Sequence, residues 1–303
     1  MQYLLVFNPK AKRYSREVEA TIVRQAAGIL GGTVTVTHTT PQAGAQGQRY
    51  DVADFARRSQ HADCVIAVGG DGTINLVVSA LARHALLTHV SLGVIPYGTG
   101  NNLVRSCGLE HASAKALGTI RQGHTIQLDI AVVNQEYYGV NASFGLFPHL
   151  LAHRVTNSRP GYIYEALRHI RFRPWPLRIR YTDAAGHTVD LAAQRYIVGA
   201  LLNTSHYGSI LRMAPDVVSD DGLFDVKLIR ATPRLMYPLV CAIILTGKYA
   251  LSRHTLTFRA KQVEVWPETT CDVEMDGDLI PTQPRYRLEI AGQARLLVPP
   301  PHS

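Results

Sequence analysis

Up to about residue 125, short apolar runs alternate with stretches of helical period. Tyr3–Phe7, Thr33–Thr39, Asp63–Val68 and Ser91–Ile95 read as strands. Between them, 15–30, 45–58 and 73–84 read as helices, with Ser15 as an N-cap, Gly31-Gly32 as a stop, and another helix starting near Asn101. This alternation predicts a parallel sheet wrapped by helices. Ligands of such sheets sit beyond the carboxyl ends of the strands. Three of those ends carry unusual residues: Asn8-Pro9, Gly69–Thr73 and Pro96–Asn102.

From about Thr125 the pattern changes. Ile126–Val133, Tyr137–Val140, Leu177–Tyr181, Arg195–Leu202, Phe224–Arg230, Leu256–Val265, Thr270–Met275 and Tyr286–Ile290 have strand character, and turn residues separate most of them. An antiparallel, β-rich sandwich or barrel-like second domain is expected. Two stretches read as helical, 162–171 and 234–252, the second interrupted by Pro238.

The 303 residues are enough for two domains, and 46% hydrophobic with 18% charged residues is an ordinary globular composition. Lys and Arg total 31 against 23 Asp and Glu, a formal net charge of +8. That excess favours anionic partners: nucleotides, nucleic acid or an acidic membrane surface. Cys64, Cys107, Cys241 and Cys271 are scattered without a C-x-x-C pair, which argues against a zinc site or a disulfide framework and fits a reducing compartment. The apolar run from Leu235 to Leu245, about eleven residues, falls well short of the roughly twenty that a membrane span needs. A soluble, cytoplasmic protein that touches a membrane peripherally is expected.

The stretch VIAVGGDGTIN, Val65–Asn75, sets a buried-type strand directly against Gly-Gly-Asp-Gly-Thr. Gly69 and Gly70 strip side chains from one patch of backbone, and the helix that follows points its positive end at the same spot. Phosphate binding and a tight strand-to-helix turn both account for this pattern. IPYGTGNNLVRS, Ile95–Ser106, is a second such turn, in which Thr99 and Asn101 either bond phosphate or ribose or cap the next helix. Neither is a Walker A loop, and no G-x-G-x-x-G follows the first strand. Two glycine turns on neighbouring strand ends favour a shared nucleotide site. Farther on, MDGD at Met275–Asp278 carries the Asp-Gly signal of a type I′ hairpin. ALRHIRFRPWPLRIRY, Ala166–Tyr181, interleaves five arginines with Phe172, Trp175 and Tyr181. That suits either an anionic bilayer surface or a solvated sheet edge. No nucleic-acid recognition module is visible, and none of the 13 histidines is given a role.

GGDGT at Gly69–Thr73, P-x-G-T-x-N at Pro96–Asn101 and the Asp-Gly-acid triplet at Asp276–Asp278 resemble the diacylglycerol kinase catalytic family. The bacterial two-domain lipid kinases are the nearest form. Asn8-Pro9, Thr40, IQLDIAVVN at Ile126–Asn134 and the long block Leu202–Val226 extend the resemblance over most of the chain.

The resemblance implies a Rossmann-like or phosphofructokinase-like first domain over 1–124, a β-rich lipid-substrate domain over 125–283, and a segment near 284–303 that returns to the first. It implies transfer of the γ-phosphoryl group of ATP, with Mg²⁺, to a lipid hydroxyl. The nucleotide would be held by Asn8, Thr40, Gly69, Gly70, Asp71, Gly72, Thr73, Asn75, Gly98, Thr99 and Asn101. Asp71, Asp276 and Asp278 would be catalytic, with Asp278 as the base. In the family this position is commonly Glu, so the carboxylate here is set back by one methylene. Many relatives have Asp where this chain has Asn102. A structural Mg²⁺ would lie on Asp221 and the carbonyls of Val218 and Leu223. The lipid substrate would be met at an anionic membrane surface, the inner face of the membrane. No nucleic-acid partner is expected, and a homodimer is compatible with the sequence. A kinase of a soluble acceptor, NAD-kinase-like, and a catalytically silent lipid or nucleotide binder are the alternatives.

Overall fold

The computed structural model describes residues 1–11, 13–39, 52–98, 101–152, 173–207, 211–249 and 252–300. The chain divides into two units, Met1–Ile130 with Gly292–Ser303, and Ala131–Ala291.

The first unit is α/β. Its strands are β1 (Gln2–Phe7), β2 (Thr33–His38), β3 (Cys64–Gly69) and β4 (Ser91–Pro96), with the start of β5 (Thr125–Val133). Its helices are α1 (Arg16–Leu30), α2 (Val52–Ser59), α3 (Asp71–Arg83), α4 (Asn102–Ser106) and α5 (Ser113–Gln122). The sheet order β2-β1-β3-β4 is parallel throughout. β3 is buried along its whole length, whereas β2 at the edge alternates exposed and half-buried positions. Ser15 caps α1 by accepting from the Val18 N–H, and Gly31 ends it at φ 66°. Ile22, Ala26 and Leu30 of α1 pack on Tyr3, Leu5 and Ile66 of the sheet. The strand order reverses at β1, so its carboxyl end and that of β3 form the switch point at which doubly wound sheets bind ligands.

The second unit is antiparallel. After the end of β5 come β6 (Tyr137–Gly139), β7 (Ala142–Gly145), α6 (Leu146–Ala152), β8 (Trp175–Thr182), β9 (Thr188–Leu202), and the short pair β10 (His206–Tyr207) and β11 (Leu211–Arg212). β12 (Phe224–Arg230), α7 (Tyr237–Thr246), β13 (Thr255–Ala260), β14 (Gln262–Pro267), β15 (Val273–Met275), β16 (Asp278–Ile280) and β17 (Tyr286–Leu297) complete it. The last residues of β17 return to the first unit, where Arg295 and Leu296 pair in parallel with Ser91 and Leu92 of β4. β9 organises the second unit: it pairs with β8 in its first half and with β7 in its second, and β12 lies along the β7 half. Phe144, Tyr196, Phe224, Val226 and Tyr286 form its core.

Two expected elements are drawn differently. The run Leu256–Val265 is broken at Lys261, where the chain leaves β12 and joins β8. The helix expected over 234–252 is a 3₁₀ turn, Arg234–Met236, followed by α7, which stops at Gly247 in the left-handed region (φ 70°). The helix expected over 162–171 lies outside the described residues. Among the described residues, no helix is long and apolar enough to cross a membrane.

Candidate active site

Gly70 is the N-cap of α3 and has no side chain to cap with, so its carbonyl opens the helix by accepting from the N–H groups of Thr73 (2.9 Å) and Ile74 (3.0 Å). The second glycine turn lies against the first. The Tyr97 N–H donates to the Gly69 carbonyl (2.8 Å), and a Cβ on Gly70 would stand 2.7 Å from the Cα of Gly98. Only glycine at both positions allows this approach. Asp71 joins the turns a second time: its Oδ1 accepts from the Asn102 N–H (2.8 Å) at the start of α4. Burial pushes the Asp71 carboxyl up, against the pull of the amides of Asn101–Leu103 and of Arg105. The carboxylate that the sequence marks for nucleotide or metal chemistry thus also anchors α4.

Asn101 sits in the left-handed region (φ 51°) and donates from Nδ2 to the Gly98 carbonyl (3.0 Å). It is only 6% exposed, and its Oδ1 is buried with no hydrogen-bond partner among the described residues. A stranded acceptor beside two bare glycines suits the hydroxyl or amino donor of a nucleotide. Asn8 is engaged at home, where its Oδ1 accepts from the Lys10 N–H and the Thr39 hydroxyl (3.0 Å each), tying the ends of β1 and β2. Thr73 and Asn75 are buried on the first turns of α3, and Gly72 is exposed with no atom within 4 Å of where a Cβ would be. Thr40 and Thr99 lie outside the described residues.

In the second unit Asp276 (φ 49°) and Gly277 (φ 95°) form the two-residue turn between β15 and β16, with Met275 paired to Asp278. Positive φ at both central residues is the type I′ signature. The turn is fastened on two sides. Asp276 Oδ2 accepts from the Val140 N–H (2.6 Å) and its Oδ1 from the Asn141 N–H (2.9 Å). Asn141 in turn accepts at Oδ1 from the N–H groups of Asn203 (3.0 Å) and Thr204 (3.1 Å). On the other side Glu274, 2% exposed, accepts the Gly277 N–H at Oε2 (2.5 Å), and its Oε1 takes the Ser143 hydroxyl (2.7 Å) and the Tyr207 hydroxyl. Burial pushes the Glu274 carboxyl up, opposed by those three donors. Asp278 is exposed at the start of β16, with Leu279 beside it 40% exposed.

Two family models divide the chain between them. The diacylglycerol kinase catalytic domain matches residues 2–133, and the YegS C-terminal NAD kinase beta sandwich-like domain matches residues 137–297. The chain belongs to the family of the YegS C-terminal NAD kinase beta sandwich-like domain, and its first part is similar to the diacylglycerol kinase catalytic domain. A Bacillus subtilis protein named "Diacylglycerol kinase" is 27% identical over 284 residues, covering 90% of this chain and 88% of its own. A Pectobacterium atrosepticum protein named "Probable lipid kinase YegS-like" is 28% identical over 235 residues, covering 76% and 75%. A crystal structure of a diacylglycerol kinase from Bacillus anthracis strain Sterne covers 99% of this chain and 97% of its own, with a TM-score of 0.71 at 20% identity, and so shares the fold.

Against the family's motifs, three residues escaped the sequence reading: Glu274, Ser143 and Tyr207. The last two stand 131 and 67 positions from Glu274 along the chain, and nothing local marks them as its partners. The expected cation position at Asp221 is differently furnished. Asp221 Oδ1 accepts the Leu223 N–H (3.0 Å), and its Oδ2 pairs with the Arg259 guanidinium. With a guanidinium already on the carboxylate, the residues do not fit a divalent cation there. Among the described residues, no three His, Cys, Asp or Glu side chains gather as a metal site. The described half of the basic stretch is a core strand. Trp175, Leu177 and Ile179 are buried. Arg180 makes a two-pronged pair with Asp190 (2.9 and 3.0 Å), and Arg178 and Arg180 lie over the Trp266 ring at 5.3 and 5.7 Å. Residues 166–172 of that stretch lie outside the described ones.

Proposed function

We propose that this member of the family is an ATP- and Mg²⁺-dependent lipid kinase with Asp278 as its general base. The observation that carries the reading is the fastened hairpin: Asp276 and Glu274 hold the turn from both sides, and the next carboxylate, Asp278, stays exposed beside Leu279. A base must be aimed and reachable, and an apolar neighbour suits a hydrophobic acceptor. The names of the relatives support a lipid acceptor.

We assign the nucleotide to the paired glycine turns, where Gly70 and Gly98 leave backbone bare and Asn101 offers an unpartnered acceptor. Mg²⁺ supplies charge neutralisation on the phosphoryl group in transfer, and Asp71 is the carboxylate in these turns to hold it. Asp278 takes the acceptor proton as the acceptor oxygen bonds to the γ-phosphorus and the bond to the leaving ADP oxygen breaks. Asp221 pairs with Arg259 and takes no part in the transfer. The lipid is met at an anionic membrane surface.

The test is transfer of labelled γ-phosphate from ATP, with Mg²⁺, to a panel of lipid alcohols in mixed micelles. Label in a lipid product is expected and names the acceptor. ATP binding without lipid label would sink the reading and favour a soluble acceptor or a silent binder.

A further inference from the structure

Helix α7 has an outer face that water does not explain. Tyr237, Val240, Ile243 and Ile244 are buried in the core of the second unit. Leu235, in the 3₁₀ turn just before, is 94% exposed, and Leu239 is 52% exposed. Ala242 and Thr246 follow on the same side, both exposed. Tyr237–Thr246 contains no charged residue at all. A surface helix ordinarily sets charged or amide groups opposite its core stripe, and a helix apolar all round is normally covered. Leu235 and Leu239 are two of only five large hydrophobic side chains exposed among the described residues.

The surroundings say what covers it. An open groove of about 260 Å³ is lined by Leu239, Ala242 and Thr246 together with Lys248, Arg253 and His254, and no acid lines it among the described residues. Lys248 and Arg253 are exposed. Apolar side chains bordered by cations match the layering of an anionic bilayer, with acyl chains below and phosphates above. The arginines of β8, by contrast, are taken up by Asp190 and Trp266.

We infer that α7, with Leu235, Lys248 and Arg253, is the surface by which the enzyme docks on an anionic lipid bilayer. The choice of a bilayer over a protein partner rests on the lipid-kinase reading. Leu235 and Leu239 enter the headgroup layer, and Lys248 and Arg253 pair with lipid phosphates.

Co-sedimentation of the full chain with phosphatidylglycerol–phosphatidylcholine vesicles, and with phosphatidylcholine vesicles alone, tests this. Binding is expected to the anionic vesicles and to fade with salt. Lys248→Ala and Arg253→Ala should each weaken it about fivefold, and Leu235→Ser combined with Leu239→Ser about tenfold or more. Micellar transfer should be unchanged in all of them. In a separate variant, Leu239→Trp, emission should shift to the blue when anionic vesicles are added. Wild-type vesicle binding in the serine and alanine variants would overturn the proposal. So would an oligomer in sedimentation equilibrium that the leucine changes dissolve, because a second copy would then be the occupant. Failure of micellar transfer in the wild type, with vesicle binding still following the variants, would leave the docking surface standing and remove the lipid-kinase reading.

Discussion

Asp276→Asn perturbs the hairpin with little change of shape. Asparagine keeps the volume and tolerates the left-handed backbone at φ 49°. It replaces one of two oxygens that both work as acceptors, from Val140 N–H at 2.6 Å and Asn141 N–H at 2.9 Å. One N–H is left facing an amide donor, and the bond that survives loses its charge assistance. Together these cost about 2–4 kcal/mol of local stability. Hydrogen exchange at the Val140 and Asn141 amides should then speed up by roughly 30- to 900-fold. The amides of β12, such as Val226, should keep their protection, because the loss is local. Phosphoryl transfer should fall in the same variant, since Asp278 follows the turn. Unchanged protection at both Val140 and Asn141 would refute the reasoning, whatever happened to activity.

Gly72→Ala should raise thermal stability, by about 1 kcal/mol from helix propensity, because no atom lies within 4 Å of the new methyl group. The same variant should bind ATP more weakly in calorimetry if phosphate lies on that backbone; unchanged affinity would move the nucleotide elsewhere. Asp71→Asn keeps an oxygen for the Asn102 amide, so the fold should survive while the Mg²⁺ dependence of transfer is damaged; unchanged kinetics would remove Asp71 from the site. Burial raises the folded carboxyl of Glu274, so the native state holds a proton that the unfolded chain gives up near its ordinary value of 4.5. Its contribution is therefore fullest below that pH and falls as pH rises towards the folded value. Glu274→Gln should gain on the wild type in urea midpoint from acid to neutral pH, and a constant difference would show that Glu274 does not titrate in that window.

What the sequence made legible was whatever is written locally. Strand β3 with Gly69–Gly70 declares a buried strand and a bare turn within a few residues, and Asp276–Gly277 declares a type I′ hairpin within two. The parallel first unit follows from alternation of the same short range. What stayed hidden depends on partners far along the chain. Glu274 reads as an ordinary polar residue in a short strand until Ser143 and Tyr207 close over it. Asp221 reads as a cation ligand until Arg259, 38 residues on, reaches its carboxylate. The arginines of β8 read as a basic face until cross-strand pairing sets Asp190 and Trp266 against them. Asp71 reads as a ligand-facing charge, and only the packing of the two turns shows it also holding α4.

The most direct measurement is turnover of Asp278→Asn beside its ATP affinity, with the lipid acceptor in micelles. We expect ATP affinity close to that of the wild type and transfer reduced by about 10²–10⁴-fold, the range of a lost general base. Transfer at the wild-type rate would contradict the assignment of the base, and with it the chemistry proposed for the hairpin.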